Sequence, residues 1–278
     1  MSSAEQPKST RKERREEARE ARKSIEAQES QRQARRRRMM QLGAAGLVAV
    51  IVIAVAFIVS GSTKKQEAPK PTSHKGTQAA KLVSSEVSGI PQSGVVLGNP
   101  KAPVTLQYFG DLECPICRDF TTGALPSVIA NFVRQGKVKI EYHSMETATR
   151  EPQVFREQQA AMLAAARQNL GWNYLELFYN EQGEEDTGYV TPAYLKGLAA
   201  QIPGLNLAKW EAERSDPKLV EKVEADETKS GEEGFTGTPS FVLAKTGGNT
   251  RKLTEFTTAD LAEARALFEP AIEAALKS

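Results

Sequence analysis

Two cysteines, Cys114 and Cys117, are the residues of this 278-residue chain best placed to do chemistry, and no other cysteine occurs in it. They stand three apart in the tetrapeptide Cys-Pro-Ile-Cys. A thiolate is a nucleophile, and two thiols at this spacing can close and reopen a disulfide, so the pair reads as a redox couple. A structural bridge is the weaker reading, because the chain-entropy gain from closing so short a loop is small. Zinc would require about four ligands. The only histidines are His74, in a Lys/Pro/Ser-rich stretch, and His143; zinc, or copper with His143 as a third ligand, is therefore the lesser alternative. Neither a metal nor a cofactor is expected.

A cysteine pair of this kind works best at the start of a helix. The first helical N–H groups have no carbonyl partner, and the helix end carries roughly half a positive charge. Both favour a thiolate at Cys114 over its thiol, and each unit of pKa depression corresponds to about 1.4 kcal/mol. Pro115 fits the first turn, where its missing N–H costs nothing. Cys114 is expected to be the exposed nucleophile, and Cys117, one turn on, the resolving thiol. Asp111 and Glu113 precede the pair and oppose ionisation if charged, with Arg118 a candidate to offset them. Asp111 reads as a solvated turn aspartate, with a proton relay as the other possibility.

The elements that must position this pair follow from the patterning. Alternation over 104–109 predicts a strand, and Gly110-Asp111 a turn. A helix is expected from about 114 to 135, broken near Pro126, followed by a second strand over 138–142. Two strands joined by one helix form a βαβ unit, almost always parallel and right-handed. From 151 to 233 only helical periodicity appears, with helices expected over 193–201, 207–214 and 217–230. A strand over 241–244, a turn at Gly247-Gly248-Asn249 and a strand over 251–253 come next. A last helix starts near 258 and contains Pro270, which should kink it. The order β-α-β, helical block, β-β-α defines an α/β fold.

The charge is unevenly spread, so the net +2 says little. Lys and Arg crowd residues 1–38, which read as a cytosolic basic tail drawn to anionic headgroups of the inner leaflet. Nucleic-acid binding is not expected, since the tail lacks aromatic residues for stacking. Residues 39–60 are uncharged and apolar. That is about the 20 residues a bilayer-crossing helix needs, and the basic cluster before it predicts an N-terminus inside. Retention as a signal-anchor is favoured over cleavage. Residues 61–94 read as a flexible tether, and the ordered domain is expected to span 95–278.

Certain segments resemble the DsbA-like branch of the thioredoxin superfamily: Gly98-Asn99-Pro100-Lys101-Ala102-Pro103-Val104, the run from Phe109 to Cys117, Ala160 to Arg167 with Trp172 and Phe178, and Gly234-Phe235-Thr236-Gly237-Thr238-Pro239-Ser240-Phe241. The resemblance covers 95–278 and implies a thioredoxin-like fold with a helical insertion over about 151–233. It also implies a cis bond before Pro239 and pairing of the Thr238 backbone with an incoming peptide. The implied activity is disulfide introduction into secreted or envelope proteins that are reduced or misoxidised. The implied electron acceptor is a DsbB-like or vitamin K epoxide reductase-like membrane protein. Ile116 departs from the best-known pattern, which has histidine there, so the couple is expected to be less oxidising than about −120 mV. A reductase or isomerase using the same pair, and a non-redox peptide-binding module, are the rival readings.

Overall fold

The structure, a computed structural model, describes residues 74–248, 250–253 and 261–277. The expected basic tail (1–38) and membrane span (39–60) lie outside the described residues. Among the described residues, no helix is long and apolar enough to cross a membrane.

A six-stranded sheet organises the described chain in the order β1-β2-β4-β3-β5-β6. Its strands are β1 (Gln92–Ser93), β2 (Val96–Leu97), β3 (Val104–Gly110), β4 (Val138–Ser144), β5 (Ser240–Lys245) and β6 (Thr250–Leu253). Strands β3 and β4 run parallel, as the βαβ reading requires, and every other pairing is antiparallel. Both central strands carry large apolar side chains because both sheet faces are covered. Val104, Leu106, Tyr108 and Phe109 are all buried, so β3 shows near-continuous burial instead of the half-buried alternation its sequence suggested.

Helix α1 (His74–Val87) precedes the sheet. It corrects the expectation of a flexible tether up to residue 94. Val83 and Val87 lie four apart and are buried, with Ala79 and Ala80 packed beside them, so the segment has an apolar stripe that its Lys and Ser content obscures. Its C-terminal end is held by Arg134, which donates to the carbonyls of Ser88 (2.8 Å) and Glu86 (2.6 Å). Strand β1 likewise precedes the expected start of the domain at 95.

The crossover between β3 and β4 is α2, a helical run over 115–133. It alternates α-helical Pro115–Asp119 and Leu125–Val128 with π-helical Phe120–Ala124 and Ile129–Val133. Pro126 cannot donate a backbone hydrogen bond, and the expected break near it takes the form of a π-turn on either side.

The helical block consists of α3 (Pro152–Ala166), α4 (Gly171–Asn180), α5 (Pro192–Ala199), α6 (Leu207–Glu213) and α7 (Pro217–Glu232). Starts are marked by side-chain caps: Thr191 accepts from the Tyr194 N–H, Asn206 from Lys209 and Asp216 from Lys218. Helix α8 (Leu261–Lys277) closes the described chain with Pro270 inside it.

Candidate active site

The strand register brings three loops to one edge of the sheet. Gly110 pairs with Ser144 at the ends of parallel β3 and β4, and Phe109 pairs with Ser240 at the start of antiparallel β5. The 111–114 loop, the 145–149 loop and the 235–239 loop must therefore meet beyond the carboxyl ends of β3 and β4. This edge is where open α/β sheets place their sites.

Cys114 caps α2. Its backbone is extended (φ −69°, ψ 119°), Pro115 follows in the first turn, and its Sγ accepts from the Cys117 N–H at 3.4 Å. Both cysteines are unbridged. Cys114 is 5 % exposed and Cys117 0 %, which corrects the expectation of an openly exposed nucleophile. The cover comes from the 235–239 loop: the peptide bond between Thr238 and Pro239 is cis, and the Thr238 carbonyl oxygen lies 3.4 Å from the Cys114 Sγ.

The two thiols are electrostatically unequal. Hydrogen bonding from the Cys117 thiol, then from the Thr238 side chain and the N–H groups of Cys117 and Ile116, lowers the Cys114 pKa to about 7 against the opposing effect of burial. Burial pushes the Cys117 thiol well above its ordinary value, and its hydrogen bond to Cys114 adds to the rise. At pH 7 about half of Cys114 is thereby a thiolate while Cys117 stays a thiol, the asymmetry that thiol–disulfide exchange uses.

Asp111 is fully buried, which corrects its reading as a solvated turn residue. Its Oδ1 accepts from the Glu113 N–H (3.0 Å) and the Thr149 hydroxyl (2.6 Å). Its Oδ2 accepts from the N–H groups of Thr147 (3.0 Å), Ala148 (2.8 Å) and Thr149 (2.9 Å). One carboxylate satisfies five donors and welds the 145–149 loop to the segment leading into Cys114. Around it, the Tyr179 hydroxyl donates to the Asp111 carbonyl (3.0 Å), and Gln182 Nε2 donates to the carbonyls of Leu112 (2.7 Å) and Cys114 (3.1 Å). Gly110 carries no Cβ where the rings of Tyr142 and Tyr108 approach to about 3 Å of its position, and the Tyr142 hydroxyl donates to its carbonyl at 2.8 Å.

Burial raises the Glu113 pKa to about 7, opposed by a hydrogen bond to Thr149 and assisted by Asp111, Asp186 and Glu185. Half of Glu113 is therefore neutral near pH 7, which weakens the expected opposition to the Cys114 thiolate. Arg118 does not offset these carboxylates; its guanidinium pairs with Asp119 (3.0 Å). Ile116 is half-buried and supplies its N–H rather than a side-chain group to the Cys114 sulfur. His143 is not a ligand partner for the cysteines. It is buried, stacks on Phe109, and engages Asp226 through Nδ1 (2.6 Å) and Lys229 through Nε2 (3.0 Å), tying β4 to α7. Among the described residues no group of three or more His, Cys, Asp or Glu is arranged to hold a metal.

The structure thus brings together Cys114, Cys117, Pro115, Asp111, Thr238 and Pro239. The sequence reading did not single out Thr147, Thr149, Tyr179 or Gln182. A signal for the first two was present: Met145-Glu146-Thr147-Ala148-Thr149 directly follows the second strand of a βαβ unit, so it must end on the same edge as the cysteines.

Residues 91–258, more than half of the chain, match the sequence profile of a family described as thioredoxin. Disulfide bond formation protein D of Bacillus subtilis is 24 % identical over 166 residues, which cover 56 % of this chain and 71 % of that protein. Probable disulfide bond formation protein D of Bacillus anthracis is 21 % identical over 148 residues, 53 % of this chain and 68 % of that protein. Among solved structures, oxidised BdbD from Bacillus subtilis superposes with a TM-score of 0.57 at 21 % identity, over 68 % of this chain and 97 % of that one. Wolbachia pipientis alpha-DsbA1 gives a TM-score of 0.51 at 16 % identity, over 68 % and 92 % of the two chains. The chain belongs to the thioredoxin family, with the fold these DsbA-type structures share.

Proposed function

We propose that this protein is a thiol–disulfide oxidoreductase that introduces disulfides into polypeptides outside the cytosol through Cys114 and Cys117. The observation that carries the reading is the inequality of the two thiols: a helix-capping Cys114 with a pKa of about 7 beside a buried, protonated Cys117. A substrate thiolate attacks Sγ of Cys114 in the oxidised pair; the Cys114–Cys117 bond breaks, and Cys117 leaves as a thiolate that takes up a proton. A second substrate thiolate then attacks the substrate sulfur of the mixed disulfide and expels Cys114. Two electrons pass to the enzyme, and the substrate gains one disulfide. The low pKa of Cys114 favours this expulsion, since a more acidic thiol is the better leaving group.

The names of the relatives, disulfide bond formation protein D, support the oxidising direction. Reoxidation then falls to a membrane protein of the DsbB-like or vitamin K epoxide reductase-like kind, which takes the two electrons. The apolar run at 39–60 and the arginines before it support a single-pass anchor with the catalytic domain outside and the basic tail on the inner leaflet. Thr238, beside Pro239 and facing the Cys114 sulfur, is the place for backbone pairing with an extended substrate.

The test is oxidation of a reduced dithiol peptide by the oxidised full-length chain. Cys114→Ala is expected to abolish it. Turnover that survives the substitution would remove Cys114 as the nucleophile, whereas no turnover by the unsubstituted chain would favour the peptide-binding reading.

A further inference from the structure

The 145–149 loop does more than pack against the site. Its Thr147 hydroxyl hydrogen-bonds the Thr238 hydroxyl, 91 positions away. Thr147 reaches that place because its own N–H is fixed on Asp111 Oδ2 at 3.0 Å, between β4 and the N–H groups of Ala148 and Thr149 bound to the same oxygen. Thr238 in turn lies against the redox pair, its carbonyl oxygen 3.4 Å from the Cys114 Sγ, and hydrogen bonding from its side chain helps lower the Cys114 pKa. A hydroxyl has one proton to give. When Cys114 is a thiolate, Thr238 must aim that proton at sulfur, and its oxygen is left to accept. Thr147 is the donor placed to fill that role.

We propose that Thr147 is a positioning residue for the redox pair: its hydroxyl donates to Thr238 Oγ1 and so orients the Thr238 proton toward the Cys114 thiolate. The order is Thr147 O–H to Thr238 O–H to Cys114 S⁻, with Asp111 fixing its far end through the Thr147 backbone. Hydrogen bonds in such a chain polarise one another, so loss of the first weakens the second. Thr147 never touches the reacting sulfurs and acts only through Thr238. The proposal rests on Cys114 being the nucleophilic thiol of the function above.

The test is a pH titration of the thiolate absorbance near 240 nm on the reduced full-length chain, taken as the difference from Cys114→Ser. Thr147→Val removes the hydroxyl at an exposed position, keeps the backbone N–H on Asp111 and changes no charge. The charged or titratable neighbours are left as they are: Asp111 and Glu113 before the pair, Cys117 and Arg118 on α2, Glu146 in the same loop, Glu185 and Asp186 after α4, Asp226 and Glu227 on α7. The expected result is an upward shift of the Cys114 transition by about half a pH unit, roughly a three-fold change in the ionisation constant. At pH 8 the glutathione equilibrium should move about 2.5-fold toward the disulfide form, since the reduced state loses thiolate stabilisation. Thr147→Ser should restore the wild-type value, and Thr147→Ala should match valine. In the double variant with Thr238→Val, loss of Thr147 should add nothing to the effect of Thr238→Val alone. An unchanged transition in Thr147→Val, an additive double variant, or a serine variant that shifts as far as valine would overturn the proposal. A 240 nm transition that persists in Cys114→Ser would overturn both this and the assignment of the thiolate.

Discussion

The Sγ of Cys114 lies 3.4 Å from the carbonyl oxygen of Thr238, a residue 124 positions further along the chain. This contact joins the helix start, where a thiolate is stabilised, to the loop that holds the cis peptide bond. The consequences for reactivity can be measured.

Alkylation by iodoacetamide should follow the Cys114 thiolate. With its pKa lowered from 9.0 to about 7 by the Cys117 thiol and the surrounding N–H groups, the rate should rise through pH 7 and level off near pH 8.5. Only one thiol per chain should react in this window, because the buried Cys117 stays protonated. A rise centred near pH 9 would contradict the site electrostatics.

The Cys114 pKa also bears on the potential. A value near 7 stabilises the reduced state far less than the most acidic thiols of this superfamily, whose pKa is about 3.5. The couple should therefore sit below the roughly −120 mV extreme. Ile116→His, which adds an imidazole beside the thiolate, should lower the Cys114 pKa by about one unit and make the couple more oxidising. Equilibration with glutathione redox buffers checks both.

Asp111→Ala should destabilise the domain by about 2–4 kcal/mol, the cost of leaving buried donors without an acceptor. Four backbone N–H groups, those of Glu113, Thr147, Ala148 and Thr149, and the Thr149 hydroxyl lose their acceptor together. Urea unfolding measures this. A loss below about 1 kcal/mol would indicate that water replaces the carboxylate.

A further prediction concerns α1 and its packing partner α4. The neighbouring carboxyls of Glu86 and Glu176 affect one another's ionisation: the charge of Glu86 adds to the rise that burial imposes on Glu176, which favours a proton held there. Burial raises both pKa values, that of Glu176 most. A folded-state pKa above the unfolded value gives stability that is full below about pH 4.5 and is lost as pH rises through the folded pKa. Glu176→Gln, which keeps a donor at every pH, should therefore raise the melting temperature at pH 8, and the advantage should shrink toward pH 5. A constant difference across this range would show that no proton held on Glu176 is involved.

Much of this site was legible because its determinants are local. Cys114-Pro115-Ile116-Cys117 carries its own helix-start geometry, and Thr238-Pro239 precedes a plainly apolar strand. The β-α-β, helical, β-β-α order followed from patterning, which also placed the starts of α5, α6 and α7 at or within one residue of Pro192, Leu207 and Pro217. What was not legible depends on distant partners. Asp111 has an ordinary turn context, and its burial is decided by Thr147, Ala148 and Thr149, some 36 to 38 positions later. Helix α1 was hidden because two valines four apart suffice to anchor it once α4 supplies the facing surface. Arg118 had a nearer partner, Asp119, than the carboxylates it was expected to balance.

The most direct test of disulfide introduction is the redox state of the Cys114–Cys117 pair in growing cells, read by rapid acid quenching and alkylation of free thiols. An oxidising enzyme should be found mostly as the disulfide, and should turn mostly reduced when its membrane electron acceptor is removed. A pair that is mostly reduced in unperturbed cells would contradict the oxidising direction and identify a reductase or isomerase.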